Sequence, residues 1–75
     1  MKEEYRPFYV KFGLNVVYFR KRKRLTQLQL AELIDVDRSH ISALELGKVG
    51  VSFDVICRLC DVLEVKPKDL FDFRE

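Results

Sequence analysis

The stretch Gln27–Leu46, QLQLAELIDVDRSHISALEL, decides how this chain folds. Leu30, Ile34, Val36, Ile41 and Leu44 recur at helical spacing, interrupted once between Ile34 and Asp37. That interruption is too short for an antiparallel helical hairpin with long arms. It predicts a tight turn that sets two short helices at a steep angle. Ala31 is small where the two helices must cross. Asp35 is the turn residue expected in the left-handed region, which Asp tolerates better than most residues.

Working outward, the same stretch carries its own boundary signals. Thr26 and Gln29 predict a capping box that starts the first of the two helices, with Leu25 stapled on Leu30. Asp37 is a suitable N-cap for the second, with Val36 and Ile41 as its staple. Gly47 suits a left-handed end after that helix. Downstream, Ser52 is expected to cap a further helix, with Val51 and Ile56 as a third staple. Its buried stripe is expected to be Phe53, Ile56, Leu59, Cys60 and Leu63. A short last helix starts near Pro67, with Asp69 in its first turn and Leu70 and Phe71 inward. Upstream, a helix is predicted over about residues 7–23, with Pro7 in its first turn. Phe12, Val16 and Phe19 form its buried stripe, extended back by Phe8. Tyr5–Val10 is the one stretch that also suits an extended arm. No segment alternates like a strand. The expectation is an all-α chain, a compact five-helix bundle. Residues 1–75 form one domain, with 1–11 as an N-terminal extension and the helix-turn-helix unit at 27–46.

Size and composition fit. The chain has 75 residues, 48% hydrophobic and 35% charged, so it is globular with a small core. The longest uncharged run is eight residues, Phe12–Phe19, too short to cross a membrane. Lys2, Glu3, Glu4 and Arg6 stand where a signal peptide needs apolar residues, which predicts a cytoplasmic protein. The net charge of +2 hides an asymmetry. Residues 1–24 carry a net +6, and residues 25–60 and 61–75 carry −2 each. Five consecutive cations, Arg20–Arg24, supply most of the excess. Such a run suits a polyanion, and it also suits a solvated helix end.

At this point the residues resemble a known family. Arg20, Leu25, Thr26, Gln27, Leu30, Ala31, Val36, Ile41, Ser42, Glu45 and Gly47 fall in the order of the pattern R-x-x-x-x-L-T-Q-x-x-L-A-x-x-x-G-V-S-x-x-x-I-S-x-x-E-x-G. Ile56, Leu59, Cys60, Leu63 and Val65 match the later L-x-x-I-A-x-x-L-x-V. The chain is similar, over about residues 12–71, to the lambda-repressor-like, Cro-type helix-turn-helix regulators of the xenobiotic response element family. Arg24, Asp35 and Glu64 depart from it, standing where the family often has Gly or Asn.

The resemblance implies a lambda-repressor-like DNA-binding domain that regulates transcription. Its helix 37–46 would enter the major groove of double-stranded DNA. At about 100° per residue, burial of Ile41 and Leu44 turns Ser39, Ser42, Ala43 and Leu46 outward. Arg38, at the helix start, is the candidate for bidentate contact with guanine, or else holds only a phosphate. Ser39 and Ser42 bond donors or acceptors, and Ala43 suits a thymine methyl. Thr26 and Gln27 open a helix whose free N–H groups suit phosphate. The resemblance places a phosphate contact at Gln27. Lys48, which follows the recognition helix, is expected to hold phosphate on the other side, and Arg22 is the expected contact from the basic run. On this reading Gln27→Ala and Lys48→Ala weaken binding to all sequences alike. The resemblance also implies an ion pair between Arg20 and Glu45; the alternative is two unpaired surface charges.

Cys57 and Cys60 form C-x-x-C, but zinc needs more ligands than these and the single histidine, His40, supply. The structural reading is preferred, with no metal and no cofactor expected. His40 is read as a half-exposed helix residue. No grouping suits catalysis, so an enzyme is not expected. The partners expected are operator DNA and a second copy, with no membrane, no evident small-molecule effector, and a nucleoid location. The dimer surface is either the last helix with Phe71 and Phe73 or the N-terminal Tyr5, Phe8 and Tyr9. The competing function is a protein-interaction module, an antitoxin or inhibitor of another regulator on the same fold.

Overall fold

The computed structural model describes residues 2–73. Among them, a 3-10 turn at Glu3–Tyr5 leads into five helices: α1 (Arg6–Arg22), α2 (Gln27–Ile34), α3 (Arg38–Glu45), α4 (Phe53–Leu63) and α5 (Pro67–Leu70). The structure is all-α, and no strand occurs among these residues.

The start of α1 differs from the extended-arm alternative. Arg6 and Pro7 are already helical. Pro7 lacks the N–H that a first turn leaves unbonded anyway, and Arg6 pairs with Glu3 at 2.9 Å across the preceding turn. The boundary signals further along act as physics requires. Thr26 Oγ1 accepts from the Gln29 N–H at 3.0 Å, and Gln29 Oε1 accepts from the Thr26 N–H at 2.9 Å. Ser52 Oγ accepts from the Val55 N–H. Asp37 stands at the N-cap of α3 with extended backbone, but its side chain makes no capping bond. The left-handed residues are Arg24, Asp35 and Glu64, with Gly47 at φ 72°.

The core gathers Phe12 and Val16 of α1, Leu30, Ala31 and Ile34 of α2, Ile41 and Leu44 of α3, Val55, Leu59 and Leu63 of α4, and Leu70 of α5. Three expected core positions are corrected. Phe53 is 76% exposed while Val55 is buried, so α4 is rotated from the expected stripe. Phe8 is 58% exposed and Phe71 48%. Both lie on the rim, where Phe71 packs on Phe12 with ring centroids 5.1 Å apart and Phe8 faces Phe73 at 6.5 Å. Polar ties close the bundle. Arg58 Nη1 donates to the Ile34 carbonyl at the end of α2, and Asn15 Nδ2 donates to the Leu70 carbonyl at 2.9 Å. Lys23 pairs with Glu64.

Candidate nucleic-acid interface

The orientation of α3 is set first by what it buries. Ile41 and Leu44 are fully enclosed, and α1 crosses the end of the helix at Gly13. A Cβ at Gly13 would lie 2.6 Å from the Leu44 carbonyl oxygen, so only glycine lets the two backbones approach this closely. Past the helix, Gly47 combines a positive φ with a Cα that faces the backbone of Val10, where a Cβ would lie 2.7 Å from the Val10 nitrogen. The Arg6 guanidinium donates to the Gly47 carbonyl. The first half of α1, from Arg6 to Gly13, therefore holds the end of α3 and the turn that follows it.

The second constraint is electrostatic. Arg20 and Glu45 are buried, with side chains 10% and 4% exposed. Arg20 Nε donates to Glu45 Oε2 at 2.6 Å and Nη2 to Oε1 at 3.2 Å, a bidentate pair. Arg20 Nη1 also donates to the Leu25 carbonyl at 2.8 Å. No buried side-chain polar atom among the described residues lacks a partner. A pair so completely satisfied ties α1 to the end of α3 without leaving an orphan charge.

Of the expected contact residues, Arg38 and Ser39 are exposed at the start of α3 and Lys48 is exposed beyond its end. Ser42 and Ala43 are half-buried, so the outward face is narrower than the helical wheel suggests. His40 is half-buried as well. Thr26 is exposed, Gln27 half-buried, and Arg22 exposed in the last turn of α1.

One contact was not legible in the sequence. Gln27 Nε2 donates to Glu45 Oε1 at 2.8 Å, and Gln27 Oε1 accepts from Arg38 Nη1 at 3.0 Å. Residues 27 and 38 are eleven apart and on different helices. Neither periodicity nor a capping rule pairs them. Gly13 is the other omission; a lone glycine inside a helical pattern was its available signal.

Cys57 is exposed, Cys60 half-buried, and both are free thiols. Burial, together with the nearby Cys57, Asp61 and Asp69, pushes the Cys60 thiol up. No group of three or more metal-ligating side chains occurs among the described residues. No helix there is long and apolar enough to cross a membrane.

A short helix held out beside a cationic run, on a tight turn after a second helix, is the frame of proteins that enter the DNA major groove. Known proteins agree with this class. The helix-turn-helix family matches residues 17–70, and the chain belongs to it. Control protein C.BamHI of Bacillus amyloliquefaciens is 41% identical over 63 residues, covering 83% of this chain and 78% of that protein. The restriction-modification controller protein C.AhdI from Aeromonas hydrophila superposes with a TM-score of 0.80 at 38% identity, over 84% of this chain and 96% of that one. The clp gene regulator ClgR from Corynebacterium glutamicum also gives 0.80, at 28% identity, over 84% of this chain and 67% of that one. The chain is a DNA-binding transcriptional regulator of the xenobiotic response element type, and not an enzyme.

Proposed function

We propose that the chain binds its operator as a cytoplasmic homodimer and controls transcription of restriction-modification genes. The likeness to the restriction-modification controller protein C.AhdI supports the gene class. Each copy seats α3 in the major groove. Arg38 reaches a guanine, Ser39 and Ser42 bond neighbouring base edges, and Ala43 meets a thymine methyl. Thr26 and Gln27, with the free N–H groups at the start of α2, and Lys48 and Arg22 take phosphates. The observation that carries this reading is the position of Arg38, exposed at the end of α3 that enters a groove first, beside the open start of α2.

One recognition helix spans only a few base pairs, so useful affinity calls for two, about one DNA turn apart. The two dimer surfaces considered from sequence are one surface in the structure. Tyr5, Phe8, Tyr9, Phe12, Phe71 and Phe73, with Val51 and Ile56, line a single apolar groove of about 400 Å³. None of them is a proposed DNA contact, so a second copy seated there leaves both recognition helices open.

The test is a titration against duplex DNA from upstream of the chain's own gene and against unrelated duplex, at several salt concentrations. Affinity is expected to favour the upstream site and to fall steeply with salt. Salt-insensitive or absent binding would overturn the reading in favour of a protein-interaction module. Arg38→Ala is expected to cost about 1–3 kcal/mol and relax preference at one base pair, while Gln27→Ala and Lys48→Ala weaken all sequences alike.

A further inference from the structure

The last helix ends without a cap of its own. α5 has four residues, and Leu70, its anchor in the core, is the last of them. A helix this short leaves its final carbonyls unbonded within itself. Residues 71–73 then run on outside any helix or strand. Asn15 of α1 meets this end from across the bundle. Its Nδ2 donates to the Leu70 carbonyl at 2.9 Å and to the Asp72 carbonyl at 3.2 Å. An amide nitrogen has two protons to donate, and both go to the carbonyls that flank Phe71. We propose that Asn15 is the latch of the pairing surface: it clamps residues 71–73 onto α1, so that Phe71 and Phe73 stand as one wall of the apolar groove on which a second copy seats. This rests on the reading of that groove as the dimer surface and names the residue outside it that keeps it in shape.

Phe8, Phe12 and Asn15 follow at i, i+4 and i+7 on α1, so two rings and the amide lie along one stripe of the helix. Phe71 rests on Phe12 with ring centroids 5.1 Å apart, and Phe73 lies 6.1 Å from Phe71 and 6.5 Å from Phe8. Phe8 and Phe71 stay exposed and Phe73 partly so. Their contacts alone give little to set against the entropy of fixing three residues outside any helix. The bonds to Asn15 give the segment one position, and the groove of about 400 Å³ then has two facing walls. The occupant follows from the shape of the rim. A two-fold pair presents the same patch twice, so the patch must carry both a projection and a recess. Exposed Phe8 projects beside the recess that it helps to line, and the lining carries no charged side chain. An uncharged recess with an apolar projection at its edge suits a second copy of itself. Asn15 does not line the groove, so its effect on pairing runs through Phe71 and Phe73.

The test compares the full chain with Asn15→Ala, Asn15→Asp and Phe8→Glu by sedimentation equilibrium, with circular dichroism and amide hydrogen exchange on the same samples. Asn15→Ala removes both bonds. Asn15→Asp keeps the size and turns acceptors toward two carbonyls. Each is expected to weaken self-association about tenfold, the scale of one or two lost hydrogen bonds. The Phe71 N–H, which donates to the Lys68 carbonyl, is expected to exchange faster, while the amides of α2 and α3 keep their protection. With Phe71 and Phe73 both changed to Ala, Asn15→Ala is expected to weaken pairing no further, because the wall that it holds is gone. An Asn15→Ala chain that pairs like the original, beside a monomeric Phe8→Glu chain, overturns the proposal. So does an Asn15→Ala effect of the same size with both rings removed. An Asn15→Ala chain that loses its helical fold overturns it too, because the latch then holds the core and not the wall. A Phe8→Glu chain that stays dimeric removes the groove as the dimer surface, and the latch with it. That failure is distinct from the first, in which the groove pairs two copies and Asn15 does not shape it.

Discussion

Glu45 carries the heaviest structural duty of any charged side chain here. It accepts from both Arg20 and Gln27 while nearly inaccessible to solvent. Glu45→Ala leaves the Arg20 guanidinium buried without its counter-ion, a change that costs about 3–5 kcal/mol. Urea denaturation is expected to show that loss. Replacing both residues together, as Arg20→Met with Glu45→Leu, should recover much of it, because the penalty lies in the orphaned charge. Cys60 supplies a second test. Its raised thiol is expected to alkylate with iodoacetamide more slowly than the exposed Cys57 between pH 7 and 9, read by mass spectrometry. The sign for stability follows: a thiol whose folded value lies above its ordinary 9.0 favours the fold below that pH, and the contribution is lost as pH climbs through the folded value.

Among the elements, the crossing of α1 over α3 sets the recognition helix in place. The contact at Gly13 has backbone on both sides, so no rotamer change relieves an added methyl. Gly13→Ala is expected to destabilise by about 1–3 kcal/mol, as overpacking does, and to lower DNA affinity by tilting α3. Thermal melting and a binding titration on the same sample check the two effects together. The helix boundaries are more forgiving. Thr26 and Gln29 satisfy each other locally, and the start of α2 follows from three intervening peptide units whatever the rest of the chain does. Asp37 shows the limit of such reasoning. Its backbone takes the N-cap conformation, yet its carboxylate makes no bond to α3, so α3 begins there because Ile41 and Leu44 are buried.

For the whole molecule, the proposed dimer divides charge and apolar surface between two functions, DNA binding and pairing with a second copy. The basic run ends α1 beside the start of α2, and the aromatic groove joins the chain's two ends through Phe8 and Phe73. Phe8→Glu places a charge in that groove without touching the buried core. It is expected to leave the melting temperature nearly unchanged and shift sedimentation toward the monomer. Operator affinity should fall with it, because two linked recognition helices bind far more tightly than one. A Phe8→Glu chain that stays dimeric would place the interface elsewhere.

Much of this architecture was legible before any coordinates. Five helices, the tight turn at Asp35, the Thr26 capping box and the left-handed Gly47 all depend on interactions within a few residues, and such interactions are written in local spacing. The Gln27–Arg38 contact, the close approach at Gly13, the exposure of Phe53 and the merging of both aromatic ends into one groove were not. Each depends on the angle at which whole helices meet, and that angle comes from packing volume and buried charge summed over residues far apart in the chain.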